Sequence, residues 1–199
     1  MSLTTKKRIA IFGSLEKPLA ETEAKKLHTL ITSLLDDQHI ILVNSCGMFL
    51  GEYVNTAAYL AAEQVDQPFN ELCICYPPVW HKEGNTYGAE PAAFHTIGHD
   101  VRRLHMIDRL KPDLALFIGG KERTMHEFRL CEGHKIPALG IRTFGGSGKD
   151  IATIVGINFH DYFSGHAHYN KVKGRYFTMQ EHCNVNDVID TIYAIIETE

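Results

Sequence analysis

The sequence predicts a doubly wound α/β fold: a mainly parallel sheet with helices on both faces, in three layers. Three observations lead there. Five short runs rich in β-branched and other apolar residues occupy positions 8–12, 39–43, 72–76, 114–118 and 137–141. Between them lie segments whose apolar residues recur at helical period. Most of the runs lack polar alternation, as strands do when helices cover both of their faces. Strand and helix in alternation are the mark of parallel βαβ units.

The first run ends at Gly13-Ser14. Positions 21–35 then place Ala24, Leu27, Ile31, Leu34 and Leu35 on one helical face. The second run stops at Asn44-Ser45-Cys46-Gly47. A helix over 52–64 follows, with Val54, Ala57, Ala58, Ala61 and Ala62 small enough for close packing. The third run closes at Pro77-Pro78, and 79–88 reads as a polar loop. Phe94, Ile97, Val101, Leu104 and Ile107 predict a helix over 92–110, weakened at Gly98. The fourth run, 114–118, stops at Gly119-Gly120, and 123–132 suits a helix. A loop containing Gly145-Gly146-Ser147-Gly148 follows the fifth run. Beyond Ile157 the pattern degrades, and 159–176, rich in His, Tyr and Gly, reads as loop or short irregular structure. Val185, Val188, Ile189, Ile192 and Ile196 predict a closing helix over 185–196, capped by Asn184 or Asn186. The whole chain, 1–199, is read as one domain with its core over 7–157.

Composition narrows the function classes. A net charge of −4, with no basic stripe, argues against a nucleic-acid platform. No apolar stretch approaches the length of a membrane span, and the first seven residues are polar, so a cytoplasmic protein is expected. The five cysteines show no CxxC spacing and read as reduced thiols, with Cys73 and Cys75 placed on opposite faces of their strand. Twelve histidines invite a metal reading at His160, Asp161, His166 and His168, but neither HExxH nor paired cysteines support it. Neither a metal nor a cofactor is expected.

The candidate site follows from topology. Ligands of open α/β sheets bind beyond the carboxyl ends of the strands. Here those ends carry Gly13, Ser14, Ser45, Gly47, Gly119 and Gly120. The diglycine precedes a helix, where close backbone approach, free N–H groups and the helix dipole favour an anion. Lys121 adds a point charge, and Arg102 or Arg103 can clamp a phosphate. Gly145 to Asp150 lacks true P-loop spacing and reads as a border of the same cleft or a mobile loop. Trp80, Tyr76 and Tyr87 can stack on a base or simply pack.

These strand ends, in this order, resemble the SLOG superfamily, a modified Rossmann fold, over roughly 7–155. That group includes the LOG phosphoribohydrolases, DNA-processing A domains and nucleotide-sensing domains of defence effectors. The LOG enzymes carry an Arg-Lys-x-x-Met motif, matched by Arg102 and Met106 with Arg103 in place of Lys. Their Pro-Gly-Gly-x-Gly-Thr-x-x-Glu motif is matched at Gly119, Gly120, Thr124 and Glu127. Ile118 replaces the proline, one residue is inserted, and the third glycine is missing. The chain looks closer to the SLOG domains of Thoeris-type effectors, which sense NAD-derived cyclic nucleotides. Gly119-Gly120-Lys121, Glu127-Phe128 and Ile136-Pro137 are the counterparts.

The resemblance implies a small-molecule nucleotide or ADP-ribose-like ligand, held by a sensor or sequestering protein that forms a homodimer or higher oligomer. It equally implies an N-glycoside hydrolase, with Glu127 beside the developing oxocarbenium centre and Arg102 on the phosphate. An oligomeric structural subunit with a vestigial cleft is the third reading. In both ligand readings Thr124 and Glu127 face the ligand, and Glu127→Ala removes binding or turnover while sparing the fold.

Overall fold

The computed structural model describes residues 6–36, 39–76 and 99–197. Five parallel strands form one sheet: β1 (Lys7–Ser14), β2 (Ile40–Asn44), β3 (Cys73–Cys75), β4 (Leu114–Gly119) and β5 (Ala138–Ile141), in the order β3-β2-β1-β4-β5. The sheet is built outward from β1 in two directions, and the winding reverses between β1 and β4. Those two strands end level, with Ser14 in register with Gly119.

The helices are α1 (Glu21–Asp36), α2 (Leu50–Gln64), α3 (Phe69–Leu72), α4 (His99–Asp108), α5 (Glu122–Gly133), α6 (Gly146–Ile157), α7 (Phe159–Phe163), α8 (Tyr169–His182) and α9 (Val185–Ile196). α1, α2 and α9 cover one face of the sheet, and α4, α5 and α6 the other. The result is the three-layer α/β/α, Rossmann-like arrangement. α1 starts with Glu21 and Glu23 in its first turn, where carboxylates complement the dipole, and buries Leu27, Leu30, Ile31, Leu34 and Leu35. Every residue of β4 is buried. On the other face Phe117 stacks on Phe12 (5.5 Å) and meets Phe128 of α5 edge-on (5.7 Å). Each such ring contributes about 1.5–3 kcal/mol by burial alone. Among the described residues no helix is long and apolar enough to cross a membrane.

Three local expectations are revised. Cys73 and Cys75 lie on the same face, with Sγ atoms 4.0 Å apart, because strand residues two apart point the same way. The loop expected up to Lys149 is helical from Gly146 onward, as α6. The segment expected to be irregular contains α7 and α8. There Phe159 gathers Phe163, Tyr169, Tyr176 and Phe177 around it, and the Tyr176 hydroxyl donates to the Ala152 carbonyl of α6 at 2.5 Å. The helix expected over 92–110 is seen as α4; positions 92–98, with Trp80 and Tyr87, lie outside the described residues.

Candidate functional site

A cleft of about 360 Å³ opens at the carboxyl edge of the sheet, where the winding reverses. Its described lining comes from three segments. Ser14, Leu15, Glu16, Lys17, Pro18 and Leu19 follow β1, with Glu23 from α1. Gly119 and Gly120 end β4. Phe144 and Gly146 lead into α6. The Leu19 N–H donates to the Tyr53 hydroxyl (3.1 Å), which ties the first lip to α2. Ser14 lines the cleft, and its hydroxyl has no partner among the described residues.

The opposite lip is held by its own backbone. The Gly120 N–H donates to the Ser14 carbonyl (2.7 Å), and the Ser147 N–H to the Gly120 carbonyl (3.0 Å). The Ser147 hydroxyl donates to the Lys121 carbonyl at 2.8 Å. Gly120 has φ +85°, and a Cβ there would lie 2.1 Å from Thr124 Oγ1. Only glycine fits that corner without strain. Neither α5 nor α6 has a side-chain cap, and the Lys121, Glu122 and Arg123 amides have no partner among the described residues. Unpaired donors at a helix start favour an anion.

Glu16 and Lys121 face each other across the mouth. Lys121 Nζ lies 2.7 Å from Glu16 Oε1, with both side chains exposed. The Lys121 ammonium, through its hydrogen bond and charge, holds the Glu16 carboxyl below its ordinary value.

The residues singled out from the sequence fall into three groups. Ser14, Gly119 and Gly120 line the cleft, and Lys121 stands at its rim. Gly13, Ser45 and Gly47 lie behind it as packing. A Cβ on Gly47 would come 1.8 Å from the Gly13 carbonyl oxygen, and the Ser45 N–H donates to the Ile11 carbonyl. Thr124 is buried beneath Gly120. One turn further along α5, Glu127 is buried and paired with Arg103 of α4, Nε to Oε1 2.7 Å, both side chains under 8% exposed. Neither is among the lining residues. Arg103 thus meets Glu127; the side chain of Arg102 lies outside the described part.

Other candidates have internal partners. Tyr76 is buried at the end of β3, its hydroxyl 3.0 Å from His105 Nδ1. Burial pushes that phenol up to about 12, and burial with the Arg109 charge holds His105 below its ordinary value. His166 Nε2 lies 2.8 Å from the Ile195 carbonyl, and its Nδ1 accepts the His168 N–H, so its ring braces α9. Among the described residues, no group of three or more His, Cys, Asp or Glu is arranged to hold a metal ion. Sequence reasoning missed Glu16, Lys17 and Glu23. For Glu16 and Lys17 the position just after β1 was the available signal, since loops that follow the strands of one parallel sheet share an edge.

No protein-family model matches the chain. No curated protein matches it. Solved structures do. The structural-genomics protein TM1055, known from an X-ray structure, aligns over 74% of this chain and 81% of its own, at 16% identity and TM-score 0.54. The molybdenum cofactor carrier protein MCP from Chlamydomonas reinhardtii aligns over 96% of this chain and 99% of its own, at 12% identity and TM-score 0.54. At these identities the likeness is one of fold.

Proposed function

We propose that this chain binds a nucleotide or NAD-derived, ADP-ribose-like ligand in the cleft between β1 and β4 and holds it intact, as a cytoplasmic sensor or sequestering protein of the SLOG kind. The reading rests on the switch-point cleft itself. It combines a Ser14 hydroxyl that has no partner among the described residues with the glycine backbone at Gly119 and Gly120, beside helix-start amides. Its volume lies toward the lower end of the range for small-molecule pockets, which suits a mononucleotide-sized group. Retention is supported by the pairing of Glu127, whose buried carboxylate is already engaged by Arg103. The Chlamydomonas neighbour is named for carrying a cofactor, which is holding rather than converting.

The test is incubation with AMP and with ADP-ribose. Binding is followed by calorimetry, and the products are separated by liquid chromatography with mass detection. Saturable binding with the ligand recovered whole is expected. Release of free adenine would select the phosphoribohydrolase reading, and absence of binding by either compound would leave the vestigial subunit.

A further inference from the structure

The two lips of the cleft are joined by a contact that an anionic ligand must share or break. Glu16 stands on the lip after β1 and Lys121 on the lip after β4, 2.7 Å apart, with side chains 70% and 74% exposed. Glu16 also lines the cleft, where Lys17 and Glu23 are the other charged residues among those described. These two carboxylates and one ammonium, with Lys121 at the rim, sum to no net positive charge. That set does not reward each added phosphate. Exposed ion pairs are weak and exchange readily, so this one opens without unfolding anything.

We propose that Glu16 is a built-in competitor for the ligand's phosphate and thereby sets which nucleotides the cleft takes. In the empty cleft its carboxylate holds the Lys121 ammonium. A bound phosphate replaces it there, and the displaced carboxylate remains beside the ligand. A nucleoside monophosphate or a phosphodiester tolerates that neighbour. A triphosphate carries more charge against it and is disfavoured. The inference rests on the cleft being the nucleotide site proposed above.

Calorimetric titration with AMP and with ATP tests it on the whole chain, as wild type, Glu16→Gln, Lys121→Gln and the double variant. Both substitutions are on exposed side chains, and circular dichroism checks the fold. Wild type is expected to prefer AMP. Glu16→Gln is expected to tighten AMP about three- to tenfold and ATP more, narrowing the preference, as removal of one close unit charge in water implies. In the Lys121→Gln background the gain from Glu16→Gln is expected to shrink, because the carboxylate acts partly through that ammonium. If wild type binds AMP and Glu16→Gln leaves both affinities unchanged or weaker, the competitor role is wrong while the site stands. An equal gain with and without Lys121 also overturns it, as a general charge effect. If no variant binds either nucleotide, the site assignment fails and the inference falls with it.

Discussion

Breaking the Arg103–Glu127 pair should cost far more than a surface substitution. The guanidinium Nε and the carboxylate Oε1 lie 2.7 Å apart, and both side chains are almost wholly out of water. Removing one partner takes a close opposite charge away from a side chain that stays buried. Such truncations cost about 3–5 kcal/mol. At 2–4 °C per kcal/mol for a chain of this size, Glu127→Ala should lower Tm by about 6–20 °C. Replacing both residues by apolar ones of similar volume removes both charges together, so Arg103→Met with Glu127→Leu should recover most of that loss. Urea unfolding of wild type, the two single variants and the double variant, followed by far-ultraviolet circular dichroism, measures each term. A Glu127→Ala protein within about 1 kcal/mol of wild type would refute the burial argument. So would a double variant whose loss is the plain sum of the singles, since that means the two side chains are not coupled.

Three further outcomes are expected. The Tyr76 phenol is raised by burial to about 12, so its neutral form stabilises the fold fully below pH 10, and that contribution fades between pH 10 and 12; chemical denaturation across that range should show Tyr76→Phe losing less stability with rising pH than wild type. Cys46, Cys73, Cys75 and Cys131 are buried, and burial with the Glu127 and Glu132 charges pushes the Cys131 thiol up to about 12, whereas Cys183 is only half-buried. A maleimide at pH 8 should therefore label Cys183 first by mass spectrometry, with the other four modified only on unfolding. The Asn184 side chain accepts the Asp187 N–H at 2.9 Å as the cap of α9, so Asn184→Ala should cost about 1 kcal/mol, read as a modest fall in urea midpoint.

The strands were legible because burial on two faces leaves an uninterrupted apolar run. The stretch before Gly119-Gly120 could hardly be anything else, and all of β4 is buried. Helices with a single apolar face were legible too, as in α1, where Leu27, Ile31, Leu34 and Leu35 recur at helical period and are buried. The order of the strands was not, because nothing in a run of Ile, Leu and Val says which neighbour it pairs with. That order is what puts the switch point between β1 and β4. α8 was missed although Val172, Tyr176 and Met179 hold helical spacing. Gly174 and the surrounding polar residues masked them, and the helix draws on contacts with Phe159 and Ala152, supplied only by folding. Of the cleft lining, Gly119, Gly120 and Ser14 follow from strand ends; Glu127 follows from the motif resemblance, whereas its partner Arg103 comes from another helix and only the fold joins them. Glu16 had no motif at all; only the packed loops bring it opposite Lys121.

A phosphorylated nucleoside is proposed to sit against Gly119 and Gly120, between β1 and β4. The amide resonances of Gly119, Gly120 and Gly146 in a ¹⁵N-labelled chain report on that contact directly, with Gly165 and Gly174 of the α7–α8 segment as internal controls. Titration with AMP should shift the first three saturably and leave the controls in place. Unmoved resonances at all three, or shifts confined to other parts of the chain, would contradict it.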